Sequence, residues 1–526
     1  MRATNMKNAI SKMLLATLAL VTWMAAAAQS ATPGITGPSF NLVAEPAFLS
    51  QPDGALVYSW GYGCSGAPSG YAPSQITTSF CNAMQVPGPT LIVTQGQSVT
   101  VTLTNNLPAA AGNTSILFPG FNVTTSGGVA GLLTQEAAPG GTVTYTFTAT
   151  TPGTRSYYSG TQSDLQVEMG LYGVIVVIPS SIPAACTTGV HASNATARST
   201  WGESDYRLAA AAYNHPGACY DREYLFQFSE MDPRVHREAE EQVVARSGCT
   251  VGTAGCSLAV AMEPYIPAYF MVNGRSMPDL MDPNYAHEYP HQPYNGNPHL
   301  HPGELVLLRI VGQGKWQHPF HEHGNHVRIL ARDGNLILSQ TDPANNLAGP
   351  ALFTTTTTPG QAMDGIYYWT GRGLNWDAYG HNPTSSDPSA KLTCTPDANG
   401  YNTGAPTAIN YFEWCQDHNK PLQKSPNGDV ASGGPATLPD PNILANGAWY
   451  GGSPYLGGNA TVRAVGSTGS TPPSGTVANS PTDEAGFAFM WHSHNEREIT
   501  TNNIFPGGMM MMMLVDSREF PIDETN

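Results

Sequence analysis

Short runs in which apolar and polar side chains strictly alternate are the feature that most limits how this chain can fold. The segments SVTVTLTN at residues 98–105 and TVTYTFTAT at residues 142–150 both repeat with a period of two. This period places every second side chain on one face, as in a β-strand with one buried side. More continuously apolar runs typical of buried strands occur later, for example ELVLLRIVG at residues 304–312. We therefore predict an all-β fold of tandem Greek-key sandwich or barrel domains.

The composition narrows the class of protein further. The 526 residues are 41% hydrophobic, which is enough to bury the cores of two or three domains. Only 11% of the residues are charged, and the net charge is −16. A surface this acidic repels nucleic acid and anionic lipid and attracts metal cations. We therefore expect no nucleic-acid partner.

The N-terminus has the organisation of a secretory signal peptide over residues 1–30. Three basic residues precede the apolar run MLLATLALVTWMAAAA, and small residues near Ala28 and Ser30 offer a cleavage point. The run is short for a membrane span, which needs about 20 residues, and no later stretch qualifies. We predict an exported protein with no transmembrane segment after signal removal. Its location would be the periplasm, the cell surface or the extracellular space.

The cysteine content agrees with an oxidising compartment. Eight cysteines occur outside any CxxC spacing, at Cys64, Cys81, Cys186, Cys219, Cys249, Cys256, Cys394 and Cys415. Disulfides between sequence neighbours (64–81, 186–219, 249–256 and 394–415) are the simplest hypothesis, although sequence alone does not fix the pairing. Because no cysteine lies beside the histidine-rich segments, disulfides are favoured over metal thiolates.

We predict four segments after the signal peptide: a first β-domain at 37–180, a linker region at 181–266, a second β-domain at 267–372 plus 481–516, and an insertion at 373–480. The linker region holds the one strong helical pattern, RVHREAEEQVVA at 234–245, and the first strands of the next domain. The insertion is rich in Gly, Pro, Ser and Asn, which indicates an irregular segment. Alternatively, the insertion is part of a third domain of the same kind.

Two histidine pairs with one intervening residue end strand-like runs. These pairs are His321 with His323 and His492 with His494. Side-chain alternation along a strand places both members of a pair on the same face. If the two strands are neighbours, four imidazoles converge, and their nitrogens can bind one copper or zinc ion. Three nitrogens and a water molecule would leave an open, reactive position on the metal.

Three segments resemble the multicopper oxidases, a family built from cupredoxin domains. VPGPTLIVTQGQSVTVTLTNNLP at 86–108 is similar to the opening of the family's first domain. HPFHEHGNH at 318–326 is similar to its HPxHxHG motif, and WHSHNERE at 491–498 to its HCHxxxH motif. The resemblance implies tandem cupredoxin-like domains whose two motif strands are neighbours. It also implies copper as cofactor and oxidoreductase chemistry with a redox partner or a small reducing substrate.

The resemblance also implies which copper ligands this chain keeps. His318 matches a ligand of the mononuclear type 1 copper, and His321 matches a type 2 ligand. Type 3 ligands are matched by His323, His492 and His494. The type 1 thiolate position is Ser493, and the second type 1 histidine falls on Glu498. A serine hydroxyl is a hard, weakly acidic group that suits copper cycling through Cu(I) poorly.

The first domain lacks the family's histidines altogether. Leu117, Phe118 and Pro119 stand where the family has HWH, and Tyr158, Ser159 and Gly160 stand where it has HSH. All fifteen histidines of the chain lie at position 191 or later. The family's trinuclear cluster takes half of its eight histidines from this domain. We therefore do not expect four-electron reduction of oxygen to water.

Several residues are weaker candidates for metal ligands. Met509 follows Gly508 as the axial ligand follows glycine in the family, whereas the run MMMMM at 509–513 is more simply a core strand. Glu498 is a ligand, a general base or a surface charge, and the sequence does not decide between these. His299 and His301 repeat the HxH spacing and could replace lost ligands. They lie in a Tyr-, Pro- and Asn-rich segment that we expect to be a solvated loop without a ligand role.

Two functions are consistent with the sequence. The first is an exported copper-dependent oxidoreductase of the multicopper oxidase type with a reduced, histidine-based metal centre, zinc being an alternative metal. The second is a non-catalytic cupredoxin scaffold that binds copper or serves as a structural protein of the cell envelope. Fold alone does not choose between them. The sequence identifies neither the catalytic residues nor the substrate nor the oligomeric state.

Overall fold

The computed structural model describes residues 31–75, 81–372, 393–416, 452–455, 486–518 and 520–524. The predicted signal peptide lies outside the described residues, as does most of the predicted insertion. Strands dominate the described part of the chain, and the all-β prediction is confirmed. No helix within these ranges is long and apolar enough to cross a membrane.

The first two sheets enclose an aromatic-rich core. Their strands, in chain order, are β1 (Gly34–Thr36), β2 (Ser39–Ser50), β3 (Leu56–Cys64), β4 (Tyr71–Ala72), β5 (Leu91–Thr94), β6 (Ser98–Asn105), β7 (Thr124–Gly127), β8 (Val129–Ala130), β9 (Gln135–Glu136), β10 (Thr142–Thr148), β11 (Gly153–Tyr158) and β12 (Tyr172–Ile178). One sheet has the order β11-β12-β5-β1-β4 and the other β3-β2-β6-β10-β7, while β8 and β9 form a separate pair. The alternating strands point Leu103 and Tyr145 inward, where they share a core with Leu91 and Ile175 of the opposite sheet.

The second pair of sheets follows the same plan. Its strands are β13 (Arg222–Met231), β14 (Tyr269–Val272), β15 (His299–Leu300), β16 (Val306–Gly312), β17 (Pro319–Glu322), β18 (Val327–Arg332), β19 (Asn335–Leu336), β20 (Ala351–Leu352), β21 (Thr354–Thr356), β22 (Ala362–Tyr367), β23 (Gly452–Tyr455), β24 (Gly486–Ser493) and β25 (Met510–Asp516). One sheet has the order β14-β13-β16-β22-β18-β19 with β20 beside β18. The other has the order β15-β25-β24-β17-β21 with β23 beside β24. Phe226, Phe489 and Met511 lie in the core that these two sheets share.

In the described part of the chain, three α-helices lie between strands: α1 (Ser163–Gln166), α2 (Gly189–Thr200) and α3 (Pro233–Ala245). The helix predicted at 234–245 is confirmed as α3. Asp232 caps its start by accepting a hydrogen bond from the Arg234 backbone N–H at 2.9 Å. Helix α2 was missed by the prediction of one helix in the linker region. Its buried face includes polar residues such as Asn194 and Arg198, so hydrophobic periodicity gives little signal there.

The two pairs of sheets pack against each other through an apolar layer. Val174 and Val176 of β12 contact a cluster that includes Leu225 and Val311 of the second pair. These contacts stack the four sheets in four layers, and the sheet that contains β17 and β24 is an outer one. The site described below therefore lies on an outer layer of the molecule.

The remaining sequence predictions about local structure are partly confirmed. All four predicted disulfides are present, joining 64–81, 186–219, 249–256 and 394–415. The first strand starts at Gly34, three residues before the predicted domain start at 37. The predicted insertion is not wholly irregular, because β23 lies within it and pairs with β24. The four-segment division itself stays a prediction.

Candidate metal centre

The two HxH motifs lie on neighbouring antiparallel strands. His321 of β17 lies directly opposite His492 of β24. His323 and His494 each follow the last residue of their strand by one position. The prediction that the two motif strands are neighbours is therefore confirmed. Strand β25 lies on the other side of β24 and pairs His492 with Met510.

Four imidazole rings converge at this edge, and we call them the four-histidine cluster. The distances between ring centroids are 4.7 Å for His321–His323, 4.6 Å for His321–His494, 5.7 Å for His321–His492, 5.1 Å for His323–His492 and 5.1 Å for His492–His494. His321 is buried, His323 and His492 are half-buried, and His494 is exposed. The cluster is therefore open to solvent on the side of His494.

Hydrogen bonds fix the tautomer of one ring in the four-histidine cluster. Nδ1 of His492 lies 2.8 Å from the carbonyl oxygen of Ser493, so it must carry the proton and donate. In the neutral ring, Nε2 of His492 then carries the lone pair. This atom lies 3.2 Å from Nε2 of His323. Two nitrogens bound at about 2.0–2.1 Å to one tetrahedral ion stand about 3.3 Å apart, so this spacing fits a shared metal.

The local environment favours the neutral form of two of the four rings. Burial, together with the neighbouring His323 and His494, lowers the pKa of His321 to about 4. Burial also lowers the pKa of His492. Because the neutral imidazole is the form that binds metal ions, His321 and His492 can bind a metal at neutral pH without losing protons.

The side chains do not stand in a finished coordination geometry. Within the described ranges, no group of three or more His, Cys, Asp or Glu side chains is arranged so that it could hold a metal ion as it stands. The four rings thus lie close together without pointing their nitrogens at a common metal position. Their proximity follows from backbone pairing, whereas the ring torsion of histidine is broad, so small ring rotations could complete the coordination.

The residues at the type 1 copper positions also come together, but their chemistry differs. Nδ1 of His318 lies 3.0 Å from Oε2 of Glu498, and the Ser493 hydroxyl donates to the same oxygen at 2.6 Å. The Met509 backbone N–H donates to the Glu498 carbonyl oxygen at 2.8 Å, while its side chain is buried in the apolar core. Glu498 is thus fully buried rather than a surface charge.

A residue that the sequence analysis did not single out completes this second group. Oε2 of Glu230, on β13, lies 2.9 Å from Nε2 of His318. Burial alone would lower the pKa of His318, but hydrogen bonds and charge from Glu230 and Glu498 raise it to about 9. The only signal in the sequence was one acidic residue near the end of the apolar strand YLFQFSEM. A protonated imidazole, two carboxylates and a hydroxyl do not fit a type 1 copper ion.

The first-domain motif positions are occupied by packing residues. The ring of Phe118 lies 4.9 Å from that of Phe147 between centroids. Leu117 and Tyr158 exchange backbone hydrogen bonds of 2.8 Å and 3.3 Å. A β-carbon added at Gly160 would meet the Leu117 side chain at 2.7 Å, so this position cannot accept a histidine without local movement. Apolar packing thus fills the places where the resemblance has copper ligands.

The prediction of a solvated loop around His299 and His301 is wrong. Both side chains are buried and bound to acidic residues, at 2.5 Å from His299 Nδ1 to Asp516 and 2.7 Å from His301 Nε2 to Glu203. His299 pairs with Leu514, four residues beyond the partner of His492 on β25. Four residues of strand span about 13 Å, so these histidines are not part of the four-histidine cluster.

Comparison with known proteins places this architecture in context. Residues 70–181 match the sequence family described as "Multicopper oxidase". The chain is 35% identical over 118 residues to laccase abr2 of Aspergillus fumigatus, covering 22% of this chain and 19% of that protein. It is 40% identical over 94 residues to laccase-3 of Botryotinia fuckeliana, covering 17% of this chain and 20% of that protein. The chain thus spans about a fifth of the length of these relatives.

A solved structure of a blue copper oxidase from Nitrosomonas europaea is similar over 90% of this chain and 85% of that chain. Its sequence identity is 14% and its TM-score is 0.42, values that carry no information about activity. The matching sequence segment and the two laccases are the informative similarities. The family match covers residues 70–181, and over this segment the chain is similar to the multicopper oxidases.

Proposed function

We propose that this protein binds copper at the four-histidine cluster and acts as an exported oxidoreductase that does not run four-electron oxygen reduction. The approach of Nε2 of His323 to Nε2 of His492 at 3.2 Å is the observation that carries this proposal. The similarity to the multicopper oxidases supports copper as the metal, and zinc would give a redox-inactive site. Copper bound there would supply one-electron redox chemistry.

The protein groups around the cluster would orient the ligands and control access. The Ser493 carbonyl oxygen holds His492 with Nε2 directed to His323. The Thr354 hydroxyl lies 3.0 Å from Nδ1 of His321. The exposed ring of Phe353 lies against His321 at 5.5 Å between centroids and lines the approach to the cluster. A small reducing substrate or a redox partner would reach the metal from the side of His494.

A second candidate function is a copper-binding scaffold without turnover, in the cell envelope or outside the cell. The chemistry at His318 favours it, because no electron-accepting type 1 copper site stands beside the cluster. Export in either case is supported by the N-terminal sequence pattern and by four disulfides. We also propose that the chain forms two β-domains, the second interrupted by an insertion. In this proposal His318 is not a ligand of the metal.

Copper content and turnover test the two candidates together. The full chain would be produced through an export pathway, loaded with copper or zinc, dialysed, and analysed for metal. We expect stoichiometric copper in the wild-type protein, loss of copper in His492→Gln and His321→Gln, and full retention in His326→Gln, whose ring lies nearby but outside the cluster. Wild-type protein without copper would refute the site. Copper without oxidation of phenols, Cu(I) or Fe(II) would favour the scaffold.

A further inference from the structure

The contacts around His318 join three distant parts of the chain at one buried point. Glu230 lies on β13, His318 directly precedes β17, and Glu498 follows β24. All three side chains are at most 2% exposed. We call this group of Glu230, His318 and Glu498 the ionic junction. It lies next to the four-histidine cluster in sequence at both motif strands, because His321 follows His318 by three positions and Glu498 follows His494 by four.

Each nitrogen of the His318 ring is occupied by a different carboxylate. Nε2 lies 2.9 Å from Glu230 and Nδ1 lies 3.0 Å from Glu498. A carboxylate without a proton can only accept, so Nε2 donates to Glu230, while Nδ1 makes an ion-pair contact with Glu498 that lacks hydrogen-bond geometry. Two carboxylates on either side of the ring stabilise the imidazolium, which has no lone pair for a metal. The raised pKa of His318, about 9, agrees with this assignment.

The carboxylates are themselves held by further donors. Glu230 accepts backbone N–H groups of Lys315 at 2.6 Å and Trp316 at 2.9 Å. Glu498 accepts the Ser493 hydroxyl at 2.6 Å and the Asn495 side-chain amide at 2.8 Å. These hydrogen bonds hold the Glu230 and Glu498 carboxylates in place and stabilise their negative charge. A buried ion pair of this kind is costly to break, because its removal leaves unpaired charge away from water.

We propose that the ionic junction is a metal-free replacement for a mononuclear copper site, which excludes copper from this position and instead fixes the two strand ends that carry the four-histidine cluster. Glu498 is the residue that excludes copper, because it occupies the ring nitrogen facing Ser493. Glu230 would be compatible with a metal, since a carboxylate on the far nitrogen of a histidine ligand commonly orients that ligand. His318, Glu230 and Glu498 are positioning residues for the cluster.

A pair of substitutions tests the exclusion of copper. Ser493→Cys supplies a thiol but keeps Glu498, and we expect no additional copper and no intense blue absorption band. Ser493→Cys combined with Glu498→His supplies a thiolate and a second imidazole and releases Nδ1 of His318. We expect this double variant to gain one copper per chain and a blue thiolate-to-copper band. A blue Ser493→Cys single variant would overturn the proposal, and so would a folded double variant that gains no copper.

A second measurement tests whether Glu498 positions the four-histidine cluster. Glu498→Gln keeps the shape of the side chain but removes its charge, and Glu524→Gln is a matched change at another buried acid. In copper-loaded protein, the electron paramagnetic resonance spectrum should change for Glu498→Gln and not for Glu524→Gln. An unchanged spectrum in Glu498→Gln would overturn the positioning role.

The junction also has a readout that needs no metal at the cluster. In the presence of a chelator, His318→Gln, Glu498→Gln and the combined variant form a double-mutant cycle for thermal unfolding. We expect the combined loss to be smaller than the sum of the single losses. Additive losses would refute the ionic junction. If wild-type protein binds no copper while this coupling is found, the proposed function fails and the junction stands.

Discussion

Nε2 of His323 lies 3.2 Å from Nε2 of His492, although 169 positions separate the two residues in sequence. The contact follows from the pairing of β17 with β24, which places His321 opposite His492. Backbone hydrogen bonding therefore brings the imidazoles together before any metal is bound. Bound copper would replace the hydrogen bond between the His323 and His492 rings, and its ligands would already be close together.

Copper should stabilise the wild-type protein against unfolding. A ligand that binds only the folded state contributes about 2.7 kcal/mol when its free concentration is 100-fold above the dissociation constant. We expect the thermal midpoint to rise with copper concentration in the wild type and in His326→Gln, but not in His492→Gln. Differential scanning calorimetry at several copper concentrations measures this. A midpoint shift that persists in His492→Gln would place the copper elsewhere.

Removal of the Ser493 hydroxyl should destabilise the protein. Ser493→Ala deprives the buried Glu498 carboxylate of a donor at 2.6 Å, and the loss of a hydrogen bond to a charged group costs about 1.5–3 kcal/mol. Ser74→Ala is the control, because its hydroxyl bonds to Gln75 at the surface. Urea unfolding of both variants measures the difference. Equal stability of the two variants would contradict a role for Ser493 in the ionic junction.

Stability should fall as the pH rises from 6.5 to about 9. The pKa of His318 is raised from 6.5 to about 9 in the folded protein, so its stabilising effect is complete below pH 6.5 and is lost by about pH 9. This shift corresponds to roughly 3 kcal/mol. Burial raises the pKa of Glu322 to about 8, which adds a loss of stability in the same direction from pH 4.5 to about 8.

The His318 contribution can be isolated by substitution. His318→Gln removes the titrating group and leaves Glu322 unchanged. Unfolding free energies measured across this pH range should therefore show a smaller slope in the variant than in the wild type. Parallel pH profiles for the two proteins would mean that His318 does not titrate between 6.5 and 9.

Disruption of a second buried ionic group, far from the metal centre, should cause a large loss of stability. Arg222 is nearly fully buried and contacts three acidic side chains: Glu203, Glu304 at 3.0 Å and Glu524 at 3.1 Å. Arg222→Met removes the cation that these three buried carboxylates share, which should cost about 3–5 kcal/mol. Glu238→Gln breaks a half-buried pair with Arg234 and should cost about 0.5 kcal/mol. Chemical denaturation of the two variants tests the contrast.

Side-chain alternation was sufficient to predict the strands, because it is a local property. The pairing of the two motif strands was implied only by the resemblance to the multicopper oxidases. The sequence was insufficient for the ionic junction. Glu230 and His318 are 88 positions apart, and their contact depends on how β13 packs against the sheet of β17. The burial of His299 and His301 was missed for the same reason. A Tyr- and Pro-rich segment reads as solvated unless its distant partners, Asp516 and Glu203, are known.

The position of β24 and β25 in their sheet also determines when the metal centre can exist. Both strands lie between β15 and β17 in the sheet, and both come from residues 486–516, far beyond β17 in the sequence. During synthesis, β17 therefore leaves the ribosome before its partner β24 exists. Until β24 and His494 have been made, the growing chain holds at most half of the four-histidine cluster. A copper ion that needs ligands from both motif strands can thus be held only after both strands have been synthesised and paired.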